Sequence, residues 1–270
     1  MTTLSPPPTT GVGELLRGWR QRRRLSQLDL AVEAEVSARH LSFVETGRSR
    51  PSRELLLHLA EHLDVPLRER NSLLLAAGYA PAYRERSLDD EGMDPVRDAL
   101  DRVLGGHEPY PAVIVDRRWD LVTANAAALR LFTAEVSAEL LRPPINVYRL
   151  GLHPEGLAPK VRNFAEYADH LLVRLQRDVA LSGDPDLAAL LEEVRGYPGV
   201  SDASPVLTDP AQLLFLPMRM QGPGGADLSF FSTVATFGTA LDVTLAELCI
   251  EAFFPADEPT KQALQRAAAS

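Results

Sequence analysis

Residues that begin or end helices recur through the first eighty positions of this chain, and they constrain its fold more than any other feature. Ser26, Ser37 and Ser52 each precede an apolar-patterned stretch, where a hydroxyl caps the first turn of a helix. Gly47 and Gly78 stand where such stretches end and where a left-handed residue is favoured. These signals predict five short helices, and hence an all-α domain over residues 11–83.

Apolar residues at helical spacing mark the inner faces of the predicted helices. In the first helix they recur at i, i+3, i+4 and i+7, as Val12, Leu15, Leu16 and Trp19. The second and third helices carry a more specific pattern. Ala31 is small where two helices must cross closely, and the apolar contacts that a helix-turn-helix core requires come from Val36, Leu41 and Val44.

The stretch from Gly13 to Gly78 resembles the Xre/Cro-type helix-turn-helix of phage repressors and many bacterial regulators. The resemblance is carried by VSARHLSFVETGRSRPS, residues 36–52, and by the run RELLLHLAEHLDVP that follows it. The chain departs from the pattern at Glu35, where glycine usually permits a left-handed turn. A non-glycine residue there costs about 1 kcal/mol, which leaves the assignment intact.

This resemblance implies that the third helix lies in the major groove of DNA. The residues implied to face bases are Ala38, Arg39, Ser42 and Phe43, and those implied to touch phosphates are Gln27, Ser37, His40, Arg48 and Arg50. Arg39 is suited to guanine O6 and N7, and Phe43 to a thymine methyl group. The alternative is a helical bundle whose arginines are merely solvated.

The same resemblance implies an ion pair inside the helical domain. A basic residue late in the first helix of this motif often pairs with a glutamate late in the third, and Arg20 and Glu45 occupy those places. We interpret them as a structural pair that positions the third helix, not as DNA contacts.

Charge is unevenly distributed along the chain. The net charge of the whole is −9, whereas residues 1–80 contain 11 Arg and no Lys against 9 acidic residues, a net charge of +2. Residues 81–270 therefore carry −11. Because net charge influences partners more than fold, only the first eighty residues are suited to approach a polyanion.

The remainder of the chain predicts a second domain of mixed structure. Residues 1–10 are expected to be a disordered tail and residues 84–95, charged and poor in apolar residues, a linker. A helix at 96–104, two short strands and a helix through Phe132 are typical of a PAS-like domain. Helices at 160–182 and 185–195, three strand-like runs and a last helix complete an α+β domain with an antiparallel sheet over residues 96–270. GPGGAD joins two of the strands, so it predicts a hairpin and not a phosphate loop.

The order of these elements resembles the ligand-binding domain of MmyB-like transcription regulators. The likeness covers about residues 95–267 and includes NVYRLGLHPEGL and FFSTVATFGTALDVTLAELCIEAFFPAD. It implies an Xre-type DNA-binding domain fused to a PAS-like domain, and the PAS-like domain binds a fatty acid or a similar apolar molecule. Many members have a longer head with a basic insertion, which this chain lacks. The operator and the ligand therefore cannot be carried over from the family.

Candidate ligand contacts follow from the second domain. Apolar residues that could line a cavity are Phe132, Tyr148, Phe164, Leu171, Phe215, Phe230 and Phe237, although residues at such spacing are usually plain core. Asn146, Arg149 and His153 lie in a segment suited to anchor the carboxylate of a ligand. Arg149 could bind that carboxylate through a bidentate salt bridge. The alternative for Arg149, which we favour slightly, is a pair with one of the domain's many acids.

Several classes of protein are disfavoured by what the sequence lacks. It contains no G-x-S-x-G, H-E-x-x-H or C-x-x-C motif, so we expect neither an enzyme nor a metal site, and no cofactor. Cys249 alternates with Glu247 and Glu251, whose charges raise a thiol pKa. One cysteine, no export signal and no membrane-length apolar run predict a cytoplasmic protein that does not enter a membrane.

Together these features predict a DNA-binding transcription regulator controlled by a fatty-acid-like molecule. One helix-turn-helix contacts few base pairs, so a homodimer on a palindromic double-stranded operator is expected. The first alternative is a constitutive regulator whose second domain serves only dimerisation or protein docking. The second is an enzyme fused to a DNA-binding head, for which the sequence offers no catalytic constellation.

Overall fold

The computed structural model describes residues 11–200, 217–238 and 240–269, which form two compact units. The helical unit comprises residues 11–86 together with 240–246, and the sheet unit comprises the described residues of 87–238 together with 247–269. The predicted tail at 1–10, and Phe215, lie outside the described residues. The segment 84–95, which the sequence suggests as a linker, spans the unit boundary at Arg86, and its last two residues begin a helix.

The helices and strands run along the chain in the following order: α1 (Val12–Arg22), α2 (Gln27–Glu33), α3 (Ala38–Glu45), α4 (Arg53–His62), α5 (Leu67–Ala76), α6 (Asp94–Gly106), β1 (Ala112–Val115), β2 (Leu121–Ala124), α7 (Ala126–Phe132), α8 (Val147–Leu152), α9 (Phe164–Ser182), α10 (Pro185–Arg195), β3 (Met218–Gln221), β4 (Asp227–Thr236), α11 (Val243–Ala246), β5 (Cys249–Pro255) and α12 (Glu258–Ala268).

The five helices predicted for the first eighty residues are confirmed, and their ends have the expected chemistry. Ser26 accepts a hydrogen bond from the backbone N–H of Asp29, whose carboxylate accepts one from the N–H of Ser26. Ser37 and Ser52 cap α3 and α4 in the same way with their hydroxyls. Gly47 follows α3 with a φ of 71°, the left-handed conformation that glycine adopts most readily.

The core of the helical unit lies between α1, α2, α3, α4 and α5. Its fully buried members include Leu16, Leu30, Val44, Leu59 and Leu63. Glu35, in the turn between α2 and α3, has a φ of 51°, so this non-glycine residue does adopt the left-handed conformation of the motif. Local strain of this size is held in place by the packing on either side of the turn.

The sheet unit is built on five antiparallel strands in the order β2-β1-β5-β4-β3. Gln221 pairs with Asp227 at the end of the β3–β4 hairpin, which confirms the predicted role of GPGGAD. The core lies between this sheet and helices α7, α8, α9 and α10. The fold is therefore the predicted α+β architecture with an antiparallel sheet. None of the helices in the described residues is long and apolar enough to cross a membrane.

Candidate DNA-binding surface and ligand cavity

The four residues implied to face bases are exposed or partly exposed on α3, and Ala38 among them also packs against the core of the helical unit. Arg39 is exposed, while Ala38, Ser42 and Phe43 are partly exposed. The Arg39 guanidinium lies 5.4 Å from the centre of the Phe43 ring. On the opposite face, Leu41 and Val44 are buried in the core. The helix therefore presents a cation and an aromatic edge outward from a rigid support.

The residues implied to touch phosphates fall into two groups. Ser37, His40 and Arg48 are exposed, with His40 on α3 and the other two residues flanking that helix. Gln27 and Arg50 are engaged within the helical unit instead. The Gln27 side-chain amide donates to Glu45 over 2.7 Å, and Arg50 donates from Nε and Nη2 to the carbonyl of Ala77 over 3.1 and 2.7 Å. Because Arg50 binds the C-terminal end of α5, it has a structural role that the motif did not indicate.

Arg20 and Glu45 form a bidentate ion pair between α1 and α3. Arg20 Nε lies 2.6 Å from Glu45 Oε1, and Arg20 Nη2 lies 2.8 Å from Oε2. Both residues are buried. Burial acts to raise the pKa of Glu45, but hydrogen bonds from Arg20 and Gln27 outweigh it and hold that pKa below its usual value. The pair joins the exposed helix to the first helix of the unit.

The sheet unit encloses a cavity of about 90 Å³ between its sheet and α7, α8 and α9. Its apolar lining includes Val113, Trp119, Leu121, Phe132, Ile145, Val147, Leu150, Leu157, Leu171, Met218, Phe230 and Phe253. Three lining residues, Leu129, His170 and Ser232, are exposed, so the cavity opens to solvent. This volume exceeds the roughly 10–15 Å³ that a single water needs, and its walls are mostly apolar.

A polar corner interrupts the apolar lining. Arg174 on α9 donates from Nη1 to Glu251 on β5 over 3.2 Å, and the Ser232 hydroxyl donates to the same carboxylate over 2.9 Å. The Arg174 guanidinium carbon lies 3.8 Å from the centre of the Trp119 ring. Arg174 and Glu251 are both largely buried. Burial acts to lower the pKa of Arg174, but Glu251 and other neighbours raise it overall, which keeps the guanidinium charged.

Four of the ten predicted ligand contacts line this cavity, namely Phe132, Tyr148, Leu171 and Phe230. Phe164 packs against the domain core without reaching the cavity, and Phe237 follows the end of β4.

The three predicted anchors do not line the cavity, and each has a structural partner. Arg149 forms a bidentate ion pair with Glu193 of α10 over 2.8 and 2.7 Å. This pair corresponds to the alternative role of Arg149, a pair with an acidic residue of the domain. Asn146 is buried, caps α8 and donates to the carbonyl of Arg118. His153 packs edge-on against Tyr197, with 4.9 Å between ring centres. All three groups therefore have partners outside the cavity, and a carboxylate anchor at this segment stays a prediction.

The pairing of Arg174 with Glu251 at the polar corner was not predicted from the sequence. A signal for it was present, because Arg174 falls at an inward position of α9 next to Leu171 and Leu175, and Glu251 interrupts the apolar run of β5. A charged residue at an inward position needs a partner or a ligand. The sequence did not show that Arg174 and Glu251, 77 residues apart, meet each other.

Cys249 shows no sign of nucleophilic activation. Burial raises the pKa of its thiol, and Glu251 and two other carboxylates raise it further. Of the two acidic neighbours from which the sequence predicts this effect, Glu251 contributes to it, but burial is the larger cause. Within the described ranges, no three His, Cys, Asp or Glu residues are grouped as a metal site requires.

Comparisons with known proteins match both units. The family model of the MmyB-like transcription regulator ligand binding domain matches residues 96–267, and a helix-turn-helix domain model matches residues 12–73. Two relatives, the transcriptional regulator ClgR from two strains of Mycobacterium tuberculosis, are each 37% identical over 75 residues, which is 28% of this chain and 64% of theirs. The chain thus spans less than two thirds of the length of these relatives. The solved structure of an RNA-binding Light-Oxygen-Voltage receptor aligns with this chain at 13% identity. The alignment covers 96% of this chain and 64% of the receptor chain, but the TM-score is 0.28, which supports no argument.

Proposed function

We propose, since this chain belongs to the MmyB-like transcription regulators, that a small apolar molecule in its sheet unit controls the binding of its helical unit to a palindromic operator. The chain is a transcription regulator with a helix-turn-helix DNA-binding domain and an MmyB-like ligand-binding domain. The observation that carries the proposed control is the apolar cavity with its one polar corner. Small-molecule sites typically combine mostly apolar walls with a few placed polar groups.

Base reading is assigned to the outward face of α3. Arg39 is exposed and can donate two hydrogen bonds to guanine O6 and N7. Phe43 beside it offers apolar surface to a thymine methyl group. Arg48 and His40 are exposed next to this face and are suited to phosphate contacts, which position a protein without reading sequence. Operator binding therefore depends on Arg39 for specificity and on Arg48 for general affinity.

A fatty-acid-like amphiphile suits the cavity because most of its lining is apolar and Arg174 and Glu251 place polar groups within that lining. Each buried CH₂ group contributes about 0.8 kcal/mol to binding. Because the cavity is partly open to solvent, a long chain can extend beyond the enclosed volume. Affinity is therefore expected to rise with chain length and then to level off.

A homodimer provides the specificity that one recognition helix lacks. A single helix-turn-helix reaches only a few base pairs, and dimers of this class bind two half-sites about one helical turn apart. A ligand changes operator affinity only if it binds two arrangements of the dimer unequally. The sheet unit, which makes up most of the chain, supplies the proposed dimer contact.

The chain itself provides a route between the cavity and the helical unit. Ser232 and Glu251 line the cavity on β4 and β5, and residues 240–246, which connect these two strands, belong to the helical unit. There Asp242 accepts from Arg86 Nε over 2.9 Å, and Val243 N–H donates to the carbonyl of Arg84 over 2.8 Å. A ligand that shifts β4 against β5 therefore acts on a segment anchored beside α5.

The test begins with the purified full-length protein. Native mass spectrometry reports the number of subunits and the mass of any bound molecule, and selection from random DNA identifies the operator. Fatty acids and primary alcohols of increasing chain length are then added while the melting temperature and operator affinity are measured. We expect both to change with chain length, because a ligand that binds only the folded state stabilises it. If no chain length of either class changes either quantity, the regulator is constitutive and its second domain serves only dimerisation or protein docking.

A further inference from the structure

Two buried hydrogen-bond donors in the polar corner have no acceptor among the described residues. They are Nη2 of Arg174 and the hydroxyl of Tyr148, a residue only 1% exposed. The Trp119 ring lies against both, because its centre is 3.8 Å from the Arg174 guanidinium carbon and 5.4 Å from the centre of the Tyr148 ring. Buried donors without acceptors are costly and uncommon in native proteins. Both residues line the cavity, so a ligand oxygen that reaches these two donors would supply the missing acceptor.

The charge of Arg174 is already balanced by protein carboxylates. Glu251 accepts from Arg174 Nη1 over 3.2 Å, and Asp178, which accepts from Trp119 Nε1 over 3.0 Å, also acts electrostatically on Arg174. An anionic head group would add a further negative charge to a corner that contains one cation and two carboxyl groups. Like charges at close range in a partly buried site oppose each other strongly.

We propose that the cavity binds the polar group of its ligand in an uncharged form, as an oxygen that accepts hydrogen bonds from Arg174 and Tyr148. This inference rests on the proposed function and specifies the ligand class at the same site. A long-chain alcohol or a protonated fatty acid meets the requirement, and a fatty-acid anion does not. The surroundings of Tyr148 support this assignment. Burial raises the pKa of its hydroxyl well above the ordinary value, Arg174 opposes this, and Asp178 and Glu251 add to it.

Several titratable groups surround the corner, so a pH experiment needs an internal control. Tyr148 lies on α8, Tyr167, His170 and Asp178 lie on α9, and Cys249 and Glu251 lie on β5. An alcohol and an acid of equal chain length experience the same changes in these protein groups. Only the acid changes its own charge, so the ratio of the two affinities isolates the charge of the ligand.

The experiment measures binding of 1-decanol, decanoate and decane to the full-length protein by calorimetry. At about pH 8 we expect 1-decanol to bind about three- to tenfold more tightly than decane, which is the effect of a neutral hydrogen bond. We expect decanoate to bind more weakly than 1-decanol at this pH. The ratio of their affinities should approach one as the pH falls toward the ordinary pKa of a carboxylic acid, about 4–5.

Two variants locate the effect at the corner. Tyr148→Phe should weaken 1-decanol about three- to tenfold and leave decane unchanged, because it removes one donor and keeps the ring. Tyr197→Phe, the same change outside the cavity, should alter neither. Glu251→Gln should strengthen decanoate relative to 1-decanol, because it leaves the Arg174 charge unbalanced. If the Glu251→Gln protein does not fold, the Tyr148→Phe comparison and the pH series still decide the question.

The possible outcomes separate this inference from the proposed function. Decanoate binding at pH 8 as tightly as 1-decanol or more so, with operator affinity still responding, would overturn the uncharged head group and leave ligand control intact. A Tyr148→Phe protein with unchanged preference for 1-decanol over decane would overturn the hydrogen-bond assignment. If none of the three compounds binds, the inference fails, and ligand control fails with it if no other chain length changes the melting temperature or operator affinity.

Discussion

Gly13 of α1 lies directly against the backbone of α3, where a Cβ atom on residue 13 would stand 2.4 Å from the carbonyl oxygen of Val44. That carbonyl belongs to the backbone and has little freedom to move. Gly13→Ala should therefore force α1 and α3 apart and destabilise the helical unit by about 1–3 kcal/mol, despite the higher helix propensity of alanine. Gly18, also in α1, has nothing within 4 Å of its Cβ position, so Gly18→Ala is the matched control. It should stabilise the unit by roughly 0.5–1 kcal/mol.

Urea unfolding followed by tryptophan fluorescence can measure this difference. The chain has two tryptophans, and Trp119→Phe leaves Trp19, which is buried in the helical unit, as the sole reporter. Midpoints that move in the same direction for both glycine variants would contradict the close approach of α1 and α3.

The ion pair between Arg20 and Glu45 should show strong energetic coupling. Arg20→Met or Glu45→Gln alone leaves a buried partner without its counterpart, and each should cost roughly 3–5 kcal/mol. The double variant should cost less than the two single changes together, because neither residue is then unpaired. The same fluorescence assay applies, with exposed Arg53→Ala as the control. Additive effects would show that the two side chains do not interact.

The lowered pKa of Glu45 predicts how stability changes in acid. A carboxyl group whose pKa is lower in the folded state than in the unfolded state stabilises the fold at pH values above its unfolded pKa, about 4.3, and this stabilisation is lost as the pH falls through the folded pKa. The free energy of unfolding of the helical unit should therefore decrease as the pH falls below about 5. This decrease should be shallower in Glu45→Gln and unchanged in exposed Glu61→Gln. A Glu45→Gln profile as steep as that of the unmodified protein would rule out the contribution of Glu45.

Arg39 and Arg48 should differ in how their loss affects DNA binding. Arg39→Ala should remove roughly 1–3 kcal/mol of discrimination at one base pair. Arg48→Ala should weaken specific and random DNA about equally and reduce the slope of log affinity against log salt by about one. Titrations of both variants with the selected operator and with random DNA, at several salt concentrations, measure these quantities. If Arg39→Ala weakened both DNAs by the same factor, it would not be the base reader.

Asp242 should affect communication between the units more than binding at either. It is buried, accepts from Arg86, and also accepts from the N–H of Thr244 over 3.1 Å. Asp242→Asn removes the charge, so 1-decanol should change operator affinity less than in the unmodified protein, while its own affinity for the cavity stays the same. Asp227 of β4 forms an exposed ion pair with Arg162, so Asp227→Asn is the control and should keep the full effect. An undiminished response in Asp242→Asn would exclude this route.

The sequence by itself determined the five helices of the helical unit and the antiparallel hairpin at GPGGAD. These features depend on residues close together in the chain, since a serine caps the helix that follows it and a glycine permits the turn at its own position. It also determined the outward face of α3, because Leu41 and Val44 mark the buried side by their spacing.

Only the tertiary structure decided which charged side chains meet. Arg149 pairs with Glu193 from a segment 44 residues away, whereas Arg174 is the cation that reaches the cavity. Both arginines are followed by leucines and lie on helices, so local pattern does not distinguish them. The difference arises from how α8, α9 and α10 pack against the sheet, and contacts between distant segments follow from that packing rather than from spacing along the chain. The same reason explains why residues 240–246 belong to the helical unit although they connect two strands of the sheet.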